Sequence, residues 1–263
     1  MQSLEGKTAI VTGGAASIGL AIVRSLHDAG ANVVIAARSE EKGRAVAEGL
    51  GDRVLFQRTD ITRDEDLGGL VEATAARFGG IDLLVNNACG YGDDGPATSR
   101  DTWLQTLNVN VVSSAILGEL VRPYLANSGG CIVNIGSISG AFPHLGRWAY
   151  PVSKAAVRQL TRSQAVDYAP DGIRVNLLVL GHIWSDPISG LTGGNREQAD
   201  RVAAEYNLLG RAADAEEVGK AVVFAASSQA SFITGAEIPV DGGYSALGPE
   251  QHKSIMPDFI GQS

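Results

Sequence analysis

The amino-acid sequence predicts one α/β domain built on a doubly wound parallel sheet of about seven strands, with helices on both faces. Short apolar segments alternate with segments of helical spacing six times along the chain, which is typical of a parallel sheet. The first apolar segment is followed directly by a glycine-rich turn and a helix. A length of 263 residues, with 44% hydrophobic residues and 33 glycines, fits one domain with a large core. We therefore expect residues 1–263 to form a single domain.

Charge and cysteine content exclude several classes of function. The net charge is -8 and the pI is about 5.0, whereas nucleic acid or an anionic membrane would favour a basic patch. No apolar stretch approaches the roughly 18 residues of a membrane span, and no secretion signal is evident, so we expect a cytoplasmic protein. Cys89 and Cys131 are too few for a disulfide framework and lack metal-ligand spacing, so no metal site is predicted.

Seven short apolar segments, bounded by polar or turn residues, predict the strands. They are residues 7–12, 32–37, 53–57, 81–85, 131–135, 173–179 and 236–240.

Helical spacing of apolar residues predicts the intervening helices. They cover residues 18–29, a charged segment ending at 78, and residues 103–125, 151–168, about 196–207 and 215–227. Asn108 and Asn110 lie in the middle of one of these helices. Because asparagine competes for backbone hydrogen bonds, they indicate either a local helix distortion or a polar function.

A glycine-rich turn, Gly13-Gly14-Ala15-Ala16-Ser17-Ile18-Gly19, joins the first strand to the first helix. Backbone N–H groups at such a helix N-terminus can hold a pyrophosphate, and glycines allow its close approach. An ordinary tight turn is the alternative interpretation.

The second strand ends at Ala37-Arg38, where a dinucleotide-binding fold places the adenosine ribose. An acidic residue there would bind the ribose hydroxyls of NAD, whereas a guanidinium suits the 2′-phosphate of NADP. The alternative is that Arg38 is only a solvent-facing loop charge.

Tyr150 and Lys154 are four residues apart at the start of the helix predicted at 151–168. This spacing puts both side chains on one helix face. An ammonium group near a phenol lowers the phenol's pKa from about 10 and favours acid–base chemistry. The pair alone also occurs by chance, so its meaning depends on the surrounding motifs.

Two segments lie outside the regular alternation. Residues 181–210 contain several glycines ahead of a helical piece and are predicted to form a lid, the alternative being a simple surface excursion. Residues 247–263 show no clear period and are predicted to form a packing or subunit-contact arm.

Taken together, these motifs resemble the short-chain dehydrogenase/reductase family from Lys7 to about Gly243. The matching segments, in order, are Thr12-Gly13 to Gly19, Asp60-Ile61, Asn86-Asn87-Ala88, Asn110, Ser137, Tyr150 with Lys154, Gly181 and Asp241-Gly242-Gly243. The resemblance implies a Rossmann-type fold that binds a nicotinamide dinucleotide.

The resemblance also implies four catalytic residues. Tyr150 would be the general acid or base, and Lys154 would lower its pKa and hold the nicotinamide ribose. Ser137 would hydrogen-bond the substrate oxygen, and Asn110 would hold a water that connects Lys154 to solvent.

The cofactor-binding residues implied by the resemblance are Gly13, Ser17, Ile18, Gly19, Arg38, Asp60, Ile61, Asn86, Ala88, Tyr150, Lys154, Gly181, Ile183 and Ser185. Arg38 behind Ala37 resembles the NADP-preferring branch, so we expect NADP(H), with NAD(H) as the alternative. Ser17, Cys89 and Leu180 depart from the family's usual glycine, glycine and proline. A side chain at position 17 is costly if φ is positive, and we predict that the Ser17 hydroxyl binds phosphate.

Position in the sequence alone predicts the residues on the substrate side of the site. They are Ser139, His144, Trp148 and Trp184, with Tyr91 nearby. Aromatic side chains there favour cyclic or aromatic substrates. We therefore expect an oxidoreductase that transfers a hydride between NADP(H) and a small, mainly apolar secondary alcohol or ketone. The alternatives are an NAD-dependent dehydrogenase of a cyclic alcohol or dihydrodiol and a non-catalytic dinucleotide-binding sensor or scaffold.

Two long helices, at 103–125 and 152–168, are apolar on more than one face. A sheet-facing stripe needs fewer apolar residues than this. Family members commonly pair through these helices, so we expect a homotetramer.

Overall fold

The computed structural model describes residues 3–248, 252, 254 and 256–260. Its centre is a parallel sheet of seven strands in the order β3-β2-β1-β4-β5-β6-β7. The strands are β1 (Thr8–Thr12), β2 (Asn32–Ala37), β3 (Val54–Arg58), β4 (Leu83–Asn86), β5 (Cys131–Ser137), β6 (Arg174–Leu180) and β7 (Glu237–Val240). All seven predicted strands are confirmed, with bounds that agree within two residues at each end.

Helices cover both faces of the sheet. They are α1 (Ser17–Asp28), α2 (Glu40–Leu50), α3 (Asp64–Phe78), α4 (Arg100–Leu107), α5 (Ser113–Ser128), α6 (Ala149–Tyr168), α7 (Asp186–Leu191), α8 (Arg196–Ala204), α9 (Ala215–Ala226) and the short α10 (Met256–Phe259). The doubly wound, Rossmann-type architecture is therefore confirmed. Of the predicted arm at 247–263, residues 249–251, 253, 255 and 261–263 lie outside the described part of the chain, and its role in subunit contact stays a prediction.

Side chains of successive strand residues point to opposite faces of the sheet, and they form two separate cores. On one face, strand residues such as Val11 and Val133 pack with Ile22 of α1 and Val222 of α9. On the other face, the neighbouring strand positions pack with α3, α5 and α6. Because side chains of consecutive strand residues point to opposite faces, a strand buried on both sides must be continuously apolar. This is why the apolar runs in the sequence locate the strands well.

Helix α2 is absent from the sequence-based predictions. Its only buried residue is Gly43, and a Cβ at that position would run into the ring of Phe56 on β3. The helix packs on the sheet through this glycine and through the partly buried Val46, Ala47 and Leu50. These four positions have helical spacing, so the sequence carries a signal for α2 that the predictions missed.

The predicted long helix is continuous from Arg100 to Ser128, but residues Asn108–Val112 form a π-helical segment between α4 and α5. The distortion expected from the two asparagines is confirmed. By length and composition alone, Arg100–Ser128 could cross a membrane, with a mean hydropathy of 1.2 over its best window. Leu117, Val121 and Leu125 of this helix are fully buried against the sheet, as in a core helix of an α/β protein.

The strand order reverses between β1 and β4. Strands β2 and β3 lie on one side of this point, and strands β5, β6 and β7 lie on the other. In open parallel sheets, a crevice forms at such a point beyond the carboxyl ends of the strands. Thr12, Asn86 and Ser137 are the last residues of β1, β4 and β5. The fold therefore gathers the predicted motifs at one edge of the sheet.

Candidate active site

A cleft of about 1590 Å³ lies beyond the carboxyl ends of the strands. Most of the predicted site residues line it: Gly13, Ser17, Ile18, Gly19, Arg38, Asp60, Ile61, Ala88, Ser137, Ser139, His144, Tyr150, Lys154, Gly181, Ile183 and Ser185. Four predicted residues do not line it, namely Asn86, Asn110, Trp148 and Trp184. The cleft is long enough along the sheet edge to run from the end of β2 to the loop before α6.

The glycine turn after β1 is shaped for a close approach. Gly13 has a φ of +68°, and a Cβ at Gly19 would run into the carbonyl oxygen of Gly13. Thr12 fixes the facing segment, because its hydroxyl oxygen accepts hydrogen bonds from the backbone N–H groups of Asn87 and Ala88, both at 3.0 Å. The bare backbone at the N-terminus of α1 fits the pyrophosphate of a dinucleotide.

Ser17 is the only non-glycine residue with a positive φ, +51°, in the described part of the chain. This is the conformation for which the family's glycine is suited. The Ser17 Oγ accepts a hydrogen bond of 3.0 Å from the backbone N–H of Asp186, at the start of α7. Its own proton is not used in that bond and can be donated to a phosphate, so phosphate binding by Ser17 stays a prediction.

Arg38 lies at the cleft wall immediately after β2. Its guanidinium makes no ion pair with any described residue. Asp60 is nearby, two residues after the end of β3. The Thr62 side chain and backbone donate to the Asp60 carboxylate and lower its pKa, and the charge of Arg38 adds to this effect. Arg38 is thus a free cation beside an ionised carboxylate.

Tyr150 is the second residue of α6, and its phenol lies near Ser137, the last residue of β5. Burial and the nearby Cys89 thiol raise the pKa of Tyr150 above its ordinary value of 10, whereas Ser137 and Arg147 act in the opposite direction. The lowering of this pKa by Lys154 stays a prediction. Desolvation of the phenol outweighs the favourable contributions, because a buried phenolate loses its hydration.

Lys154 is 4% exposed, and its Nζ donates a 2.9 Å hydrogen bond to the carbonyl oxygen of Ile135. The same Nζ lies 5.7 Å from the centroid of the Tyr150 ring. The ammonium group thus stands on the same helix face as the phenol, as the spacing predicts. Its bond to the carbonyl of Ile135 fixes the ammonium group against β5.

Asn110 is the buried residue of the π-helical segment. Its Oδ1 accepts a hydrogen bond of 2.7 Å from the N–H of Gly90, and its Nδ2 donates to the Gly90 carbonyl and to the Ser153 hydroxyl. The side chain therefore fixes the loop after β4 against α6. It does not line the cleft, and its part in a water relay to Lys154 stays a prediction.

Asp93 was not identified from the sequence as part of the site. Its carboxylate accepts hydrogen bonds from the backbone N–H groups of Trp148, at 2.8 and 2.9 Å, and of Tyr150, at 2.9 Å. Burial opposes ionisation of this carboxyl, but the backbone donors outweigh it and lower the pKa of Asp93. Asp93 thus caps the N-terminus of α6 and holds the backbone of Tyr150.

An aromatic ring covers the phenol of Tyr150. Tyr91 stacks on Tyr150 with ring centroids 5.3 Å apart and an angle of 26° between the planes. Ser139 and His144 line the same part of the cleft, as predicted, and Arg147 and His182 line it without having been predicted. Arg147 lies three residues before Tyr150, so its proximity to the active site was available as a sequence signal.

The other predicted substrate-side residues are placed elsewhere. Trp148 is 52% exposed beyond the cleft wall, because the capping of α6 by Asp93 directs only its backbone inward. Trp184 lies under the guanidinium of Arg196, 5.5 Å from its ring centroid, within the segment 181–210. Asn86 turns into the sheet and donates to Asn134 at 2.8 Å. These three residues do not line the cleft, so their predicted ligand contact has no support from this geometry and stays a prediction.

The two remaining departures from the family pattern differ in position. Cys89 lines the cleft beside Tyr91 and Tyr150. Leu180 is 5% exposed at the end of β6, and the glycine after it is required, since a Cβ at Gly181 would lie 2.7 Å from the Cα of Asp241. Both Cys89 and Leu180 line the cleft, so both changes alter the surface that a ligand meets.

Comparisons with known proteins agree with this site. A family model described as Enoyl-(Acyl carrier protein) reductase matches residues 13–245. The chain is 37% identical over 247 residues to cis-4-hydroxycyclohexanecarboxylate dehydrogenase of Sinomonas cyclohexanicum, covering 92% of this chain and 97% of that protein. It is 39% identical over 251 residues to L-fucose dehydrogenase of Oryctolagus cuniculus, covering 93% and 87%. It is 35% identical over 251 residues to 2,5-dichloro-2,5-cyclohexadiene-1,4-diol dehydrogenase of Sphingobium indicum, covering 94% and 100%.

These similarities span nearly the whole chain and include the motifs on which the resemblance rests. The relatives are dehydrogenases, so the protein is an oxidoreductase and the alternative of a non-catalytic sensor or scaffold is set aside. The chain belongs to the short-chain dehydrogenase/reductase family.

Proposed function

We propose that the protein interconverts a cyclic secondary alcohol and its ketone, with NADP(H) as the preferred cofactor. The observation that carries the reaction is that Ser137, Tyr150 and Lys154 all line the cleft, with Ser137 near the phenol of Tyr150 and Lys154 on the same helix face. Tyr91 supports a cyclic substrate, because its ring provides an apolar surface beside the catalytic phenol. Two of the relatives compared above are named for alcohols on six-membered carbon rings.

The chain's own residues carry out the proton transfer. A bound nicotinamide dinucleotide would supply the hydride acceptor or donor. In the oxidation direction, the phenolic oxygen of Tyr150 accepts the proton of the substrate hydroxyl, and the Ser137 hydroxyl orients the substrate oxygen by a hydrogen bond. The positive charge of Lys154 stabilises the phenolate form of Tyr150 when the proton leaves.

The residues present fit the cofactor. Bare backbone at Gly13 and Gly19 would hold the pyrophosphate, and Asp60 and Ile61 would contact the adenine. Arg38 supports NADP(H), because it lines the cleft, lacks an ion-pair partner among the described residues and follows Ala37 instead of an acidic residue. Its planar guanidinium is suited to a phosphate group.

Calorimetric titration with NADPH and NADH tests the cofactor preference. The unmodified protein is expected to bind NADPH more tightly. Arg38→Gln is expected to weaken NADPH binding by about tenfold or more, the loss of one charge-assisted contact, and to leave NADH binding unchanged. Equal or tighter binding of NADH by the unmodified protein would show that Arg38 faces solvent and would favour an NAD-dependent dehydrogenase of cyclic alcohols or dihydrodiols.

Turnover of a panel of cyclic secondary alcohols and ketones tests the reaction itself. Tyr150→Phe is expected to abolish turnover while cofactor binding, measured in the same titration, stays unchanged. Unchanged turnover in this variant would contradict the assignment of Tyr150 as the acid or base.

Two features of the whole chain extend the proposal. Residues 181–210 are proposed to act as a lid, supported by their wall residues His182, Ile183 and Ile188 and by the bond between Asp186 and Ser17. A homotetramer is proposed as the working assembly, supported by exposed apolar side chains on the two long helices.

A further inference from the structure

The substrate end of the cleft carries a positive charge that the proposed reaction does not use. Arg147 lines the cleft in the loop immediately before α6. Its backbone N–H donates to the carbonyl of His144 at 3.2 Å, but its guanidinium forms no ion pair or side-chain hydrogen bond with any residue that the structure describes. Arg211, by contrast, forms an ion pair with Glu217 at 2.7 Å.

An ion pair with Asp93, which binds the N-terminus of α6, would give Arg147 a purely structural role. The oxygens of Asp93 are instead occupied by the backbone N–H groups of Gly95, Trp148 and Tyr150 and by the Thr98 hydroxyl. The Asp93 carboxylate thus makes its hydrogen bonds to the helix cap and the loop before it, and not to Arg147. Arg147 is left with its charge facing the cleft.

Acidic side chains do not neutralise this charge from the cleft wall. Among the described residues that line the cleft, the carboxylates are Asp60 and Asp186. Asp60 is held by Thr62 beside Arg38, and Asp186 lies against Ser17. Both therefore belong to the half of the cleft where the glycine turn lies. The half around Tyr150 is positive in a chain whose net charge is -8.

A neutral histidine, His144, lies near Arg147. Burial, with His182 and Arg147 nearby, lowers the pKa of His144 below its ordinary value of 6.5, so its ring is neutral at pH 7. The Nε2 atom of His144 is buried and has no hydrogen-bond partner within the described chain. The ring of His182 is held by Asn207 at 3.1 Å and packs edge-on against Tyr244. The fixed charge at this end is that of Arg147 and of the sheet-bound Lys154.

From this arrangement we propose that the ring alcohol carries a carboxylate, and that Arg147 is the residue that recognises it. This inference rests on the proposed function and names its substrate class. A guanidinium presents a planar pair of donors that matches a carboxylate. The substrate ring would pack on the apolar wall that includes Tyr91 and Leu191, with its hydroxyl at Ser137 and Tyr150 and its carboxylate at Arg147. The residue determines specificity by binding and takes no part in the proton transfer.

The test compares each acid with its neutral counterpart. The 3- and 4-hydroxycyclohexanecarboxylates and their methyl esters are offered to the unmodified enzyme and to Arg147→Gln, Arg147→Lys and Arg100→Gln. Arg100 is the matched control, an exposed arginine at the start of α4 outside the cleft wall. We expect the unmodified enzyme to prefer the acids by at least about tenfold in kcat/KM.

Arg147→Gln is expected to raise KM for the acids by at least about tenfold and to leave KM for the esters unchanged, with partial recovery in Arg147→Lys. Any change in kcat through the phenol of Tyr150 would affect acid and ester alike, so the KM difference separates recognition from acid–base effects. Equal use of acid and ester by the unmodified enzyme, or an equal KM change for both in Arg147→Gln, would overturn the inference.

Binding provides a readout that does not depend on turnover. Cyclohexanecarboxylate, which lacks the hydroxyl group, is titrated calorimetrically into the same proteins in the presence of NADPH. Binding that is lost in Arg147→Gln and kept in Arg100→Gln supports the anion site even if no alcohol is oxidised, in which case only the proposed reaction fails. Binding that is unaffected by Arg147→Gln overturns the anion site.

Discussion

At the scale of single residues, the acid–base behaviour of Tyr150 depends on the side chains packed around its hydroxyl. The backbone N–H of Ser139 donates to the Ser137 Oγ at 3.1 Å. The Ser137 proton is therefore free to point at the phenolic oxygen, where it favours the phenolate. Burial and Cys89 oppose this and keep the pKa of Tyr150 above its ordinary value. A base with a raised pKa is mostly protonated at neutral pH, so oxidation must accelerate as the pH rises.

The pH dependence of alcohol oxidation tests this balance. We expect kcat/KM to increase with pH from neutral into the alkaline range, because the reactive form of Tyr150 is the phenolate. Ser137→Ala removes the donor that lowers this pKa and should move the rising limb to higher pH, in addition to reducing the rate by about a hundredfold through loss of a substrate hydrogen bond. Ser139→Ala is the control, since only its backbone contacts Ser137. A limb at the same pH in Ser137→Ala and the unmodified enzyme would contradict the effect of Ser137 on the phenol.

At the scale of secondary-structure elements, the position of the reactive tyrosine is set by how α6 begins. The first turn of a helix has backbone N–H groups without intrahelical partners. In α6 they are satisfied by Asp93, 57 residues earlier in the sequence than Tyr150. The strands and most helices were predictable because burial imposes a local period on the sequence. The cap of α6 was not predictable in this way, since no local pattern connects a loop aspartate to a distant helix.

Removing the Asp93 cap should affect both stability and catalysis. Asp93→Asn is expected to lower the free energy of unfolding at pH 7 by about 1 kcal/mol, as for the loss of a helix cap, and to reduce kcat, because one of the donors is the N–H of Tyr150. The folded-state pKa of Asp93 is lowered, so its contribution is present above the unfolded value of about 3.9 and is lost as the pH falls through the folded pKa.

Urea denaturation at pH 7 and at pH 3, with kinetics at pH 7, measures both effects. Asp94→Asn is the matched control, because Asp94 is exposed and only its backbone is bonded, through its N–H to Thr98 and its carbonyl to Ala97. The difference between Asp93→Asn and the unmodified protein should be smaller at pH 3 than at pH 7. Equal stability and equal kcat at pH 7 would show that Asp93 does not position Tyr150.

At the scale of the whole molecule, the sequence located the cofactor half of the cleft better than the substrate half. The glycine turn and Arg38 directly follow strands β1 and β2, and the Tyr150–Lys154 pair lies in helix α6, so these regular elements fix where the residues lie. Trp148 and Trp184 lie in loops, and there packing decides the direction: Trp184 contacts Arg196 instead of a ligand. Asn86 was placed in the correct strand but pairs with Asn134 across the sheet, a contact that only the strand order reveals.

The assembly is also a property of the whole molecule, and the surface of the two long helices makes it testable. Leu120 on α5 and Val152 and Val166 on α6 are 38%, 49% and 74% exposed. Apolar side chains on neighbouring helices that cover no core are typical of a subunit interface, and two-fold axes let the same faces pair with themselves.

Light scattering at micromolar concentration is expected to give about four times the chain mass of 27.3 kDa. Val166→Glu should lower this mass by placing a charge in the interface, whereas Val202→Glu, on the separate helix α8, should not. A monomer mass for the unmodified protein would refute the tetramer, and an unchanged mass in Val166→Glu would move the interface away from α6.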